Sequence, residues 1–300
     1  MGDNILTMIK VIELPIDKDM GGLTSYVLQL YRMIDKKEFE LTLLSYDDPQ
    51  NFDVNYKVEM VSRPYHIIQF YKKMKCLLSE GKDIIHFHQS YVNIIPILIA
   101  KLAGFKTIIL HAHSSSIDDN RKIVRFLKTG LHKVGRFLLP YLVDTYIGCS
   151  TKASEWMFPR TCIDSDSYYL LHNAIDLDLY DRNINLGLEV RQKFNIPKDA
   201  LVVGHIGRFT PVKNHPFIID IFKEVLKQNP NSYLFLLGDG VERHKIESLV
   251  KLAAISDKVI FMGYVNNTVE VMQAIDIMIL PSLFEGLPLI AIESQALGIP

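Results

Sequence analysis

Three hundred residues, 48% of them hydrophobic, give room for two domains, each with its own core. A net charge of −1 supplies no global field for nucleic acid, and no apolar run approaches the roughly 18 residues of a membrane-spanning helix. The three cysteines, Cys76, Cys149 and Cys162, have no C-x-x-C spacing and point to a reducing compartment rather than a disulfide framework. With no charged leader or small-residue cleavage site at the N-terminus, a cytoplasmic location is expected.

Met8 to Leu14 is an apolar run that predicts a strand, followed by Pro15 and the polar turn IDKDMGG. Val27, Leu30, Tyr31 and Ile34 then recur at helical spacing. Strand, glycine turn and helix make the first unit of a parallel α/β sheet. Gly21 and Gly22 either let the backbone approach a ligand at the strand's carboxyl end or simply form a turn. Phe39 to Ser45 is a second strand and Arg63 to Leu78 a helix. The segments 83–88 (DIIHFH) and 107–113 (TIILHAH) are strands ending in His-x-His, so period two puts each pair on one face. Four such histidines suggest zinc, but no Cys or nearby Glu completes the set and the strand tips need not adjoin, so a metal is disfavoured. They otherwise serve as satisfied core histidines, or bind hydroxyls and phosphate.

Residues 121–139 read as a basic amphipathic helix, broken at Gly130 or continuous, with Lys122, Arg125, Lys128, His132, Lys133 and Arg136 at three-to-four spacing. Its plain reading packs the apolar face on the sheet; the other lays it on anionic lipid. Strands are expected at Asp144–Cys149 and Tyr168–Leu171. Asp176 and Asp178 spell D-x-D, but in a turn, so a metal role is rejected there. The polar stretch Tyr180 to Ala200 is the expected boundary and hinge region, between a first domain of residues 1–178 and a second of 179–300.

The second domain opens with the buried-strand pattern LVVGHIG (Leu201 to Gly207), then RFTPVKN. Arg208 offers a bidentate fork and Lys213 a point charge, both suited to a diphosphate; Asn214 can cap the next helix. Tyr233–Leu237 and Lys258–Met262 are further strands, with LLGDG and FMGY at their carboxyl ends. There is no G-x-G-x-x-G, P-loop, G-x-S-x-G or H-E-x-x-H motif. Asp276 to Pro300 reads as a strand over Ile277–Leu280, a tight turn freed by Gly286, and a helix with Pro288 at its first position. Its amino end suits an anion. Glu285 and Glu293 bracket the turn; alternatively Ser282 and Glu285 form a capping box. The chain stops where another strand is expected, so the second domain reads as incomplete by on the order of 60 residues.

P-S-x-x-E-G-x-P with a second Glu eight positions after the first resembles the E-x7-E signature of retaining GT-B glycosyltransferases of family 4. The resemblance runs in order through MGG (20–22), HNAID (172–176, with Ala174 where the family has Gly), GRFTPVKN (207–214), LLGDG (236–240) and FMGY (261–264). It implies an α/β GT-B fold: two Rossmann-like doubly wound domains facing a cleft, the second incomplete. It also implies a metal-independent, retaining glycosyltransferase of cell-surface polysaccharide synthesis, with no cofactor. The donor would be a nucleotide-diphosphate sugar, most readily a UDP-sugar. The acceptor would be a glycan or a lipid-linked sugar, with a peripheral place at the inner membrane face through 121–139. Its site residues would be Glu285, His113 (His111 second), Arg208 and Lys213 for the reaction. Gly22, Tyr264, Gly286, Leu287, Pro288 and Glu293 would bind the donor. Two alternatives remain open on the sequence: an epimerase of the same architecture, and a non-catalytic sugar-nucleotide-binding subunit.

Overall fold

The computed structural model describes residues 8–16, 21–48, 56–119, 121–265 and 267–300; Met20 of the MGG motif lies outside them. Two compact units divide the chain. The first takes Met1–Asn173 together with Glu285–Leu287, and the second Ala174–Phe284 with Pro288–Pro300.

The first unit runs β1 (Ile9–Ile16), α1 (Gly22–Met33), β2 (Phe39–Ser45), β3 (Val58–Met60), α2 (Ile67–Ser79), β4 (Ile84–Gln89), α3 (Ile94–Ala103), β5 (Thr107–Ala112), α4 (Lys122–Leu138), β6 (Thr145–Gly148), α5 (Thr151–Met157), α6 (Arg160–Ile163) and β7 (Tyr168–Leu170). Its strands form a parallel sheet in the order β3-β2-β1-β4-β5-β6-β7. The order reverses between β1 and β4, the switch point at whose carboxyl ends open α/β sheets bind ligands. The pleat sorts residues by face: Ile12, Leu14, Ile85, Phe87, Ile108 and Leu110 join a core with Phe70, Met74 and Leu77 of α2. Each such buried side chain contributes roughly 1.5–3 kcal/mol. The alternate positions, Glu13, His86, His88 and His111, therefore share the other face.

The second unit runs α7 (Ile184–Lys193), β8 (Leu201–Ile206), α8 (His215–Gln228), β9 (Ser232–Leu237), α9 (Arg243–Leu252), β10 (Val259–Gly263), α10 (Thr268–Met272), β11 (Ile277–Met278) and α11 (Leu289–Ala296). Its strands are also parallel, in the order β10-β9-β8-β11. Val203, Leu234 and Leu236 pack with Ile218, Phe222, Ile246 and Val250. Both units are thus α/β and Rossmann-like, as expected.

Several local expectations are corrected. The stretch expected as a polar hinge holds α7, which packs into the second unit. Arg191 is buried, donates to the Ala274 and Ala200 carbonyls, and forks onto Asp276 at 2.8 Å. The fourth strand of that unit is shorter than expected, although Ile279 N still donates to Gly204 O at 2.9 Å. Pro288 is extended and caps α11 rather than opening it. Asn214 sits at φ 57°, and its side chain makes no helix cap. Helix α4 runs unbroken through Gly130. It buries His132 and Gly135, while Ile123, Phe126 and Phe137 are 76%, 77% and 73% exposed. Leu131 and Leu138 pack against the first unit's core, but much of its apolar face is left uncovered.

The packing of α7 is testable at Gly187, where an added Cβ would overlap the backbone carbonyl of Gln273. Alanine normally favours a helix over glycine by about 1 kcal/mol. Gly187→Ala is expected to reverse that and destabilise the protein by roughly 1–3 kcal/mol, read by denaturant unfolding. A stabilised variant would return this segment to a loose linker.

Candidate functional site

Three residues of the E-x7-E motif are fixed by the first unit. Ser115 Oγ donates to the Glu285 carbonyl at 2.7 Å, Ser150 Oγ to that of Gly286 at 2.8 Å, and Asn173 Nδ2 to that of Leu287 at 2.6 Å. The Leu287 side chain packs on the first unit's core, and its N–H is turned to the Cys149 sulfur. Leu287 is therefore a structural anchor, and its N–H is not open to a diphosphate as expected. Gly286 lies against the backbone of His113: a Cβ there would overlap the His113 carbonyl and sit 2.9 Å from Cys149 Sγ. Glycine is required at this position by the chain's own close approach. Burial raises the Cys149 thiol to about 11, so it packs rather than reacts.

Beside this anchor lies a cluster that the sequence reading only half assembled. Strands β4 and β5 are adjacent, with His88 opposite His111, and Glu13 of β1 stands opposite His86. Both reasons for setting the histidines aside therefore fail: the tips adjoin, and a glutamate is present. Glu13 Oε2 is 3.0 Å from His86 Nδ1 and 2.6 Å from His88 Nε2, and His88 Nδ1 is 2.8 Å from His113 Nε2. Tyr26 of α1 closes over His111 and His113, its ring centroid 5.1 Å from each. Burial alone would raise the Glu13 carboxyl; the charge and hydrogen bond of His86, together with His88, outweigh it and bring it to about 2. Burial, reinforced by the neighbouring rings, lowers His88 to about 4 and holds His111 and His113 well below the histidine range. His113 is thus tied into a buried chain, Glu13–His88–His113, rather than standing alone.

Gly22 opens α1. A Cβ there would meet nothing within 4 Å, so the first unit's own packing does not demand glycine at this position.

In the second unit, Lys213 is half-buried and lies over Gly207, where a Cβ would be 3.2 Å from Lys213 Cε. Arg208 is exposed on the same loop. That loop is tied to the start of the E-x7-E motif: Leu283 N donates to Val212 O at 2.8 Å, and Asn214 Nδ2 to Pro281 O at 3.3 Å. Gly238 (φ 118°) and Gly240 (φ 152°) bring LLGDG against the backbone of Gly207 and Phe209. Tyr264 follows Gly263 and is exposed. Glu293, on α11, is half-buried; burial raises its carboxyl against a hydrogen bond with Tyr180. Asp176 turns inward to cap its own turn, accepting from Asp178 N at 3.2 Å.

Sequence reasoning missed Glu13, Ser115 and Ser150. The signal for Glu13 was a charge inside the apolar run VIELP, since a buried charge requires a partner or a metal. The serines carry no pattern, because their role is set by contacts far along the chain.

Residues 20–179 match the family model described as Glycosyltransferase Family 4, and residues 188–300 the model described as Glycosyl transferases group 1. The chain belongs to glycosyltransferase family 4, and it is a glycosyltransferase of GT-B fold. EpsF of Bacillus subtilis (strain 168), named as a glycosyltransferase, is 26% identical over 97% of this chain and 78% of its own length. An Escherichia coli enzyme named UDP-Gal:alpha-D-GlcNAc-diphosphoundecaprenol alpha-1,3-galactosyltransferase is 22% identical over the same shares. Among solved structures, Anabaena HepE in complex with UDP-glucose superposes with a TM-score of 0.77 at 17% identity, over 97% of this chain and 79% of that one.

Gly286→Ala is expected to lower kcat/KM for glycosyl transfer by about 100-fold through displacement of the Glu285 backbone. Steady-state kinetics beside a circular dichroism spectrum of the folded variant checks this. Unchanged kinetics would mean the tight approach to His113 has no bearing on the reaction.

Proposed function

We propose that the protein moves a hexosyl or related residue from a UDP-sugar to a glycan or lipid-linked acceptor in cell-surface polysaccharide synthesis, with retention at the anomeric carbon and no divalent cation at the diphosphate. The observation that carries this reading is the pair of hydrogen bonds joining the Arg208–Lys213 loop to Pro281 and Leu283. They hold a cation loop against the leading residues of the E-x7-E motif within one unit.

The chemical burden is the negative charge gained by the diphosphate as the glycosidic bond breaks. Arg208 meets that charge with a planar fork and Lys213 with a half-buried ammonium already in place before the reaction. The first turn of α11, rather than the engaged Leu287 N–H, adds donors at Pro288's end. Glu293 takes the ribose hydroxyls, and the backbone at Tyr264 meets the base. In the first unit, Glu285 holds the sugar hydroxyls near the reacting carbon, His113 orients the sugar or the acceptor, and Gly22 gives the phosphates room. The E. coli relative's name specifies a UDP-sugar and a diphospholipid acceptor, and HepE was solved with UDP-glucose; both support this substrate class.

Lys213→Ala is expected to reduce kcat by about 10²–10³, and Glu285→Gln to abolish measurable transfer. The screen uses UDP-, GDP- and ADP-sugars by thermal shift, with and without Mg²⁺, and nuclear magnetic resonance reads the product anomer. UDP-sugars should stabilise the protein equally in both conditions. Near-normal turnover by either variant, or an inverted anomer, overturns the reading.

Helix α4 supports a membrane-proximal acceptor. Ile123, Phe126, Leu127 and Phe137 are exposed among Lys122, Arg125 and Lys133, themselves exposed, a combination suited to an anionic lipid surface. Arg136 is not part of it, since its guanidinium donates to the Trp156 and Phe158 carbonyls at 2.7 Å. Vesicles containing anionic phospholipid should bind the protein at low salt, release it as ionic strength rises, and fail to bind Phe126→Asp/Phe137→Asp. Equal, salt-indifferent behaviour of the two proteins in flotation would dismiss the membrane role.

A further inference from the structure

We propose that the first unit binds one divalent transition-metal ion, zinc by its ligand set, through Glu13, His86, His88 and His111. One ring nitrogen from each of the three histidines lies within 4.8 Å of the others. Glu13 Oε2 is already within 3.0 Å of His86 Nδ1 and 2.6 Å of His88 Nε2. The four side chains come from three neighbouring strands, and their register, not a loop, sets their spacing. Rigid elements of this kind hold ligands more tightly than loops do.

Two features of the cluster are left unexplained by the protein alone. His111 is fully buried, and neither of its ring nitrogens has a hydrogen-bond partner; His86 Nε2 is likewise buried and unpartnered. A neutral imidazole always carries one N–H, so His111 keeps an unsatisfied polar group in either tautomer. The second feature is the charge. Glu13 is 2% exposed, and among the described residues its ion-pair partners are imidazoles, with no Lys or Arg. Buried charges are paired or coordinate metals. An ion gives one of the two His111 nitrogens a partner, leaving a single N–H there, and it neutralises the carboxylate. Three imidazoles and one carboxylate suit zinc, with metal–ligand distances of about 2.0–2.2 Å. Ligand atoms then stand about 3.3 Å apart, so the three imidazole nitrogens close in by at most about 1.5 Å and the carboxylate oxygen backs away from His86 and His88 by under about 1 Å.

The ion would also reset the histidine next along. With His88 Nε2 on the metal, its Nδ1 keeps the proton and donates to His113 Nε2 across the 2.8 Å contact. His113 then carries its own proton on Nδ1. Without the ion, His88 Nε2–H points at Glu13 and the second bond reverses, leaving a lone pair on His113 Nδ1. Partners outside the ligand shell commonly fix tautomers in this way. The site stands on its four ligands and not on the assignment of His113 to glycosyl transfer.

The test uses the full chain purified without a histidine tag, stripped with chelator and titrated with Zn²⁺ or Co²⁺. One ion per chain is expected by mass spectrometry of metal content, with the strong visible absorption of four-coordinate Co²⁺. Zinc at a hundredfold excess over its dissociation constant should raise the unfolding midpoint by about 5 °C or more. These signals should vanish in His111→Asn and Glu13→Gln and persist in the surface control His244→Asn. Wild type and the two ligand variants responding alike, or wild type retaining no ion, overturns the site. If the ligand variants do not fold, the wild-type Co²⁺ spectrum decides alone: a weak six-coordinate band rejects the proposal. Donor binding is read separately by UDP-sugar thermal shift, so failure here is distinguishable from failure of the transferase reading.

Discussion

The structure depends on one close approach: the backbone of Gly286 laid against the carbonyl of His113, with no room for a side chain between them. Three hydrogen bonds, from Ser115, Ser150 and Asn173, hold the carbonyls of Glu285, Gly286 and Leu287 in succession. The chain on either side of these residues belongs to the second unit. These three residues thereby belong to the packing of the first unit. The Glu285 backbone is placed by the first unit.

Much of this was legible in the sequence because it obeys short periods. Apolar runs with glycine at their carboxyl ends gave the parallel strands, since residues buried on both faces of a sheet need no polar alternation. The places of Arg208 and Lys213 on the loop after β8 and of Glu293 on α11 were legible from the strand and helix patterns around them. The errors fell where the deciding contact is remote. Tyr180 to Ala200 looks like a hinge by composition, yet Gly187 and Arg191 are committed to the Gln273–Asp276 backbone some 85 residues on. No local pattern announces such a partner. Helix α4 differs: its amphipathic period was read correctly and two uses of the stripe stayed open, and in the structure Leu131 and Leu138 reach the core while Ile123, Phe126 and Phe137 stay exposed. A two-faced helix specifies that something apolar is met, not that it is the protein.

The histidines show how a sound local argument goes astray for lack of topology. His-x-His on two strands says only that each pair shares a face. Whether the pairs meet depends on the strand order, and the order here puts β4 between β1 and β5 at the switch point. That adjacency brings in Glu13, a residue whose own sequence context gives no hint of histidines more than seventy positions away. Once the three strands are side by side, the charge inside β1 ceases to be an anomaly and becomes the centre of the cluster.

Glu13 also explains why the switch point is built from groups this polar. A sheet centre is ordinarily the most apolar part of a doubly wound unit, and a carboxylate there costs stability unless its partners are fixed before it is buried. Here the partners sit on strands hydrogen-bonded to its own, so they arrive with the sheet and lose little further freedom in pairing. The lowered carboxyl and the suppressed His88 and His111 imidazoles are two sides of one arrangement: a negative charge held at the strand tips, with His88 turned to it at 2.6 Å and His86 at 3.0 Å. The same chain of contacts ends at His113, whose carbonyl bounds Gly286. The buried cluster and the anchored glutamate segment are therefore joined through a single residue, its side chain in one and its backbone against the other.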